Sequence, residues 1–173
     1  MVARPLSGPP AIRAVTAGDA TTLRHLRLRA LEDSPDAFGS ALDVELAFPD
    51  SEWVDLARRS ETADDLAVYA AIDGERWVGM AAGRWYDREH GVAGLWGMWV
   101  DPAARGLGLG ERLVDAVHQW AAAQGARILR LGVVTGEGDP TGFYERLGFT
   151  RTGETGTLRR DRTRAFCYMT RPI

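Results

Sequence analysis

The sequence predicts an α/β (α+β) domain: a mixed sheet with helices on both faces, in the order β-α-α-β-β-β-α-β-α-β-β. Three observations carry this expectation. Short apolar segments alternate with longer ones whose apolar residues recur at spacings of three and four. Two extended segments flank Gly74-Glu75, a pair that reads as a hairpin turn. An apolar run also stops at Asp101-Pro102, and a glycine-rich turn and an amphipathic helical pattern follow at once.

The elements follow in chain order. Residues 1–10 are punctuated by proline and glycine and lack an apolar signal core, so they read as a loose leader before a single domain over 11–173. The first strand is expected at 11–15. Thr16-x-x-Asp19 then precedes a helix over about 20–32, with Leu23, Leu26, Leu28 and Leu31 on one side and Pro35 beyond its end. Residues 34–50 read as irregular or briefly helical. A second helix is expected at 51–59, capped by Ser51 with Glu52 in its first turn.

Strands at 67–73 and 77–85 flank the hairpin turn, and a third at 93–100 is interrupted by Gly97, which marks a bulge or a close backbone approach. The next helix spans about 108–124 and ends at Gly125, with Leu109, Leu113, Ala116, Val117, Trp120 and Ala121 along one side. A strand at 128–134, a short helix over about 141–147, and strands at 149–156 and 164–171 complete the chain.

Composition removes several function classes. At 173 residues the chain fits one domain with a hydrophobic core. A formal net charge of −3 argues against a general nucleic-acid or anionic-membrane surface. The single cysteine, Cys167, has no internal disulfide partner, and no Cys/His cluster suggests zinc. No apolar stretch is long enough to span a bilayer. A cytosolic location is expected.

The most informative segment runs from Val100 to Glu111. Gly106, Gly108 and Gly110 alternate there. Such glycines permit positive φ and close approach, so N–H groups can turn toward one point at a helix start. That helix start adds unpaired donors and partial positive charge, which suits a phosphate. A nucleotide P-loop would need Gly-Lys-Ser/Thr, and the chain contains no lysine. A dinucleotide fingerprint would need a later third glycine and an acid near the next strand, and both are missing. A flexible loop with no ligand is the remaining plain alternative.

The segment Val-x-Pro-x-x-Arg-Gly-x-Gly-x-Gly resembles the acyl-CoA signature of the GNAT (Gcn5-related) N-acetyltransferase superfamily, with Arg105, Gly108 and Gly110 at its fixed positions. The run from Gly142 to Phe149 is similar to the Phe-Tyr-x-x-x-Gly-Phe element of the same family. The resemblance implies a mostly antiparallel, twisted sheet and acetyl-CoA as co-substrate, with no metal. It also implies diphosphate binding by Arg105, Gly106, Leu107, Gly108, Leu109, Gly110 and Glu111. Met98, Trp99 and Val100 are then the strand that pairs with pantetheine in a V-shaped slot, their N–H groups stabilising the oxyanion.

By the same resemblance Tyr144 is the general acid that protonates the leaving thiolate; the plain reading is a tyrosine anchoring a short helix. Where the family often has asparagine, this chain has Glu137, with Pro140 in place of an alanine. A base for the ammonium of the acceptor is open among Asp87, Glu89, His90, Asp43, Glu45 and a water-mediated route. His118 reads as a surface residue and Cys167 as a small buried thiol. Trp53, Trp77, Trp85, Trp96 and Trp99 are core or acceptor-pocket candidates.

The expected reaction is direct attack of a small-molecule or peptide amine on the thioester, in an enzyme that is a homodimer in many relatives. A different acyl donor, a hydroxyl acceptor, or a CoA-binding module without turnover stand as alternatives.

Overall fold

The computed structural model describes residues 10–173; the leader expected at 1–10 lies, apart from Pro10, outside them. In chain order the elements are β1 (Ala11–Ala14), α1 (Ala20–Asp33), α2 (Leu42–Leu46), α3 (Asp50–Thr62), β2 (Leu66–Asp73), β3 (Arg76–Asp87), β4 (Val92–Val100), α4 (Leu109–Ala123), β5 (Ile128–Val134), α5 (Thr141–Arg146), β6 (Thr150–Thr157) and β7 (Ala165–Pro172). The seven strands form one sheet in the order β1-β2-β3-β4-β5-β7-β6, and every neighbouring pair is antiparallel except β4 with β5.

Two expectations need correction. Ser51 does not cap the second long helix: α3 starts one residue earlier, and Pro49 (φ −65°, ψ 155°) is its N-cap, without a side-chain cap bond. Proline's fixed φ turns the chain into the helix, so a hydroxyl is not needed there. The segment 34–50 is briefly helical, as read, but its helix α2 puts three α-helices before β2 where the expected order had two. The hairpin turn, by contrast, lies where it was read, with Gly74 at φ +60°.

Each face of the sheet has its own core. On one side α4 lays Leu109, Leu113, Val117, Trp120 and Ala121 over Val78, Ala81, Leu129 and Leu131. On the other, Leu23, Leu26 and Leu31 of α1 and Ala57 of α3 cover Val68, Ala70, Met80 and Ala82. The alternation of strand residues between the two faces produces this sandwich. Gly83 permits the close approach of α4: a Cβ there would lie 2.6 Å from the Trp120 ring. Gly125 (φ +79°) ends α4, and Ala126 N–H returns to Ala121 O at 2.9 Å.

The site is created by what β4 does. Its parallel pairing with β5 lasts for three residue pairs, Val92 with Ile128, Ala93 with Leu129 and Gly94 with Arg130. Beyond Gly94 the two strands part. On the other edge of β4 the register with β3 slips between Ala82↔Trp96 and Met80↔Trp99, so β4 carries one extra residue. Gly97, at φ +63°, sits in that bulge. The bulge leaves Trp96 packed on the α1/α3 side and Met98 on the α4 side of the split.

Candidate active site

The turn from β4 into α4 is held by a buried carboxylate. Asp101 Oδ2 accepts from Arg29 and Arg76, each at 2.7 Å, while Oδ1 takes the N–H of Ala103 at 3.0 Å. Gly106 (φ +79°) and Gly108 (φ +72°) then carry the chain through left-handed conformations that L side chains resist. A Cβ at either would meet nothing within 4 Å, so the requirement is conformational and not steric. Gly110 is the reverse case: it lies in regular helix, and a Cβ would come within 3.0 Å of Met98 and 3.1 Å of Phe143.

The N–H groups of Gly108, Leu109, Gly110 and Glu111 form no hydrogen bond to any described residue. The first N–H of α4 to find an acceptor is that of Arg112, which bonds Gly108 O at 3.1 Å. These donors open on a cleft of about 600 Å³. Of the ten residues expected at the diphosphate turn and pantetheine strand, nine line it: Met98, Trp99, Val100, Arg105, Gly106, Gly108, Leu109, Gly110 and Glu111. Leu107 points outward and is exposed.

A second hollow of about 390 Å³ adjoins the first across Ser34, Ala37, Met98 and Pro140, and runs into the split between β4 and β5. Tyr144 lines it. Its ring is buried edge-on against Phe143 (5.0 Å between centroids) and Phe149 (5.7 Å), and no described residue hydrogen-bonds its hydroxyl. Burial pushes its phenol well above the ordinary value, so it carries its proton throughout the neutral range. Glu137 also lines this hollow and is exposed. Asp139, two residues on, is committed to its own loop, accepting from Thr141 N (2.9 Å), the Thr141 hydroxyl and Gly136 N (3.3 Å).

Arg105 is engaged within the protein. Its Nε donates to Val100 O at 3.0 Å and its Nη2 to Asp33 Oδ2 at 2.7 Å. The same Asp33 oxygen accepts from Trp99 Nε1 at 2.9 Å and the Ser34 hydroxyl at 2.7 Å. Burial, the largest single influence, raises the Asp33 carboxyl, but Trp99, Ser34 and Arg105 together outweigh it and hold it below its usual range. Sequence reading passed over Asp33. One signal was present: an acid at the C-terminal end of a helix opposes the macrodipole and calls for a cationic partner.

The candidate bases are scattered. Asp87 and His90 pair with each other at 2.8 Å at the β3–β4 turn, beside exposed Glu89, at the end where β4 and β5 are still joined. Asp43 is exposed on α2. Glu45 is buried and taken by Arg27, with Nη2 at 2.8 Å and Nε at 3.0 Å. His118 reaches only Pro172 O at the surface, and Cys167 is buried in the α4-side core.

The segment over the split is strapped from the C-terminal hairpin. Arg160, between β6 and β7, donates to Phe38 O and Pro35 O, and Arg164 pairs with Asp36 at 3.2 Å.

A family model for the acetyltransferase (GNAT) family matches residues 28–149. The chain belongs to this family. It is accordingly an acyltransferase, and the matched span runs from α1 through the cradle to the end of the Tyr144 motif.

Solved structures share the GNAT fold over nearly the whole length. An acetyltransferase of the GNAT family from Streptococcus pneumoniae superposes with a TM-score of 0.79 at 21% identity, covering 95% of this chain and 99% of its own. YncA from Salmonella typhimurium, solved with acetyl-CoA, gives 0.76 at 16% identity, covering 95% and 94%. PaiA N-acetyltransferase from Thermoplasma acidophilum, in complex with coenzyme A, gives 0.74 at 14%, covering 96% and 100%. Among the described residues of this GNAT chain, no group of three or more His, Cys, Asp or Glu side chains is placed to hold a metal ion, and no helix is long and apolar enough to cross a membrane.

Proposed function

We propose that the chain moves an acetyl group from acetyl-CoA to a primary amine by direct attack. One observation carries this reading: the unpartnered N–H groups of Gly108 to Glu111 head α4 at the mouth of a cleft that leads into the split β4/β5 pair. Two relatives of the same fold were solved with coenzyme A or acetyl-CoA. In this reading the backbone from Arg105 to Glu111 receives the diphosphate, and Arg105 exchanges Asp33 for phosphate when it joins. The exposed edge of Met98, Trp99 and Val100 pairs with the pantetheine arm, and its N–H groups stabilise the oxyanion.

The amine, deprotonated through water, attacks the thioester carbonyl; the C–N bond forms, the C–S bond breaks, and the sulfur leaves as thiolate. Tyr144 donates its proton there, and the proton shed by the new amide nitrogen passes through water to restore the phenol. The phenol reaches the reaction step still protonated. No covalent enzyme intermediate is needed, since the work is positioning and proton management.

Calorimetric titration with CoA and acetyl-CoA, followed by a free-thiol assay over an amine panel, tests the reading. Micromolar or tighter binding with thiol release on at least one amine supports it. Failure of acetyl-CoA to bind, or undiminished binding when Gly106 and Gly108 are replaced, overturns it.

A further inference from the structure

We infer that the acceptor is an amine carrying an anionic group at a distance, so that the preferred substrate class is an amino-carboxylate or similar amino-acid anion rather than a polyamine. This rests on the acetyltransferase reading above and narrows its substrate.

The cavity concerned lies on the α1/α3 side of the sheet, beside Trp96. A third hollow, of about 330 Å³, adjoins the Tyr144 hollow through Ala37, Gly132 and Val134. Its walls include Trp96, Tyr86, Phe166 and Tyr168, and the charged residues that line it are two arginines, Arg84 and Arg130. No carboxylate lines it.

The two guanidiniums are laid flat on the aromatic walls. Arg84 stacks over Trp96 at 5.4 Å; Arg130 lies between Tyr86 at 4.9 Å and Tyr168 at 3.8 Å. Arg130 is paired by both oxygens of Glu154, at 3.1 and 2.8 Å, while its Nε is buried without a partner, so Arg84 is the guanidinium of this hollow left without a counter-charge. Arg84 is exposed and makes no ion pair with any described residue. A fourth hollow, of about 230 Å³, shares Arg84 and Trp96 with this one, and the carboxylate that lines it, Asp65, is held by Arg59 at 2.7 Å. Three of the four aromatic faces that would bind an ammonium, those of Trp96, Tyr86 and Tyr168, are therefore already covered by cations.

The adjoining Tyr144 hollow has the opposite polarity. Its charged lining is Asp33, Asp36, Glu137 and Asp139 against Arg164. Asp33, Asp36 and Asp139 are engaged by Arg105, Arg164 and Thr141, so an acceptor lying along β5 would meet the carboxylate of Glu137 beside the thioester end and guanidiniums at the far end. Along the strand, Arg130 is two residues from Gly132 and four from Val134, or roughly 7 and 13 Å at 3.3 Å per residue. An α-amino acid is too short to use both ends; an amine and anion separated by a ring or several methylenes fits.

The test uses the CoA-loaded protein and two probes that share one ring: para-(aminomethyl)benzoate and para-xylylenediamine. Calorimetry is expected to show the amino-carboxylate binding at least about tenfold tighter, the size of one charge-assisted contact. Arg84→Gln should bring the two within about twofold of each other, Arg84→Lys should restore part of the preference, and added salt should shrink it in the wild type. Equal or tighter binding of the diamine overturns the inference, as does no binding of the amino-carboxylate, or an unchanged ratio in Arg84→Gln of normal melting temperature. Thiol release from acetyl-CoA is read separately. Acetylation of the diamine with an inverted preference leaves the enzyme assignment standing and removes this one. Discrimination without thiol release from any amine does the reverse.

Discussion

Arg105 and Asp33, 72 residues apart, meet at 2.7 Å across the mouth of the cleft. The pair joins the last residue of α1, whose following segment overlies the split, to the turn that heads α4. With Trp99 Nε1 on the same oxygen, one carboxylate ties β4, α1 and the glycine turn together.

Replacing Asp33 with Asn should have two effects of opposite sense. Stability should fall by about 1 kcal/mol, a modest figure because the Arg105 side chain is half exposed and screened. Affinity for CoA should rise by a factor of about two to five, since Arg105 no longer has to leave a charged partner for a phosphate. Urea unfolding and calorimetry read the two separately; weaker CoA binding in a folded Asp33→Asn protein would mean the carboxylate assists the ligand.

Gly108→Ala should cost about 1–2 kcal/mol through its left-handed backbone alone, there being open space around it. CoA affinity should drop more than about tenfold as the N–H groups turn away. Gly110→Ala should act differently, by pressing Met98 and Phe143 apart, and should perturb the acyl end more than the diphosphate end. Comparing CoA with a phosphate-only fragment such as adenosine diphosphate distinguishes these effects.

Tyr144→Phe should retain CoA binding and lower turnover by about a hundredfold. Because burial raises its pKa, the phenol adds no descending limb to the rate profile below its ordinary value near 10. The linkage runs the same way: the raised pKa contributes stability that is complete below about pH 10 and is lost as the pH climbs further, when the unfolded phenol ionises first. Wild type should therefore lose ground to Tyr144→Phe above pH 10. An alkaline limb near pH 8 that disappears in Tyr144→Phe would contradict this.

Much of this was legible before the fold was seen, because it was written in short-range chemistry. Gly106, Gly108 and Gly125 take the positive φ that their positions in turn and helix end implied, and Gly97 sits in the bulge that a glycine inside a strand implied. The strand over 128–134 matches β5 residue for residue, its alternation being clear. What escaped was long-range. Asp33 with Arg105, Arg27 with Glu45, and Arg84 on Trp96 are partnerships between distant segments, and no local period announces them. Ser51 failed as a cap for a local reason: Pro49, two residues earlier, has the backbone already set for a helix start.

The buried pair of Arg27 and Glu45 gives a sharper stability test. Glu45→Gln or Arg27→Met alone leaves one member uncompensated and should cost about 3–5 kcal/mol, whereas the double change to apolar residues should recover most of that. A double-mutant cycle by chemical denaturation measures the coupling. Arg27 Nη1 has no partner, so the arginine is the member held less completely. Additive single effects would show that the pair is not coupled.

Every basic side chain paired with a carboxylate among the described residues, from Arg13–Asp19 to Arg171–Asp115, is an arginine apart from His90, for the sequence holds no lysine. A protein built to work beside a reactive thioester thus exposes no ε-amino nucleophile of its own. Its braces are immune to neutralisation by stray acylation, and a mass shift of one acetyl on any side-chain amine is chemically impossible for it.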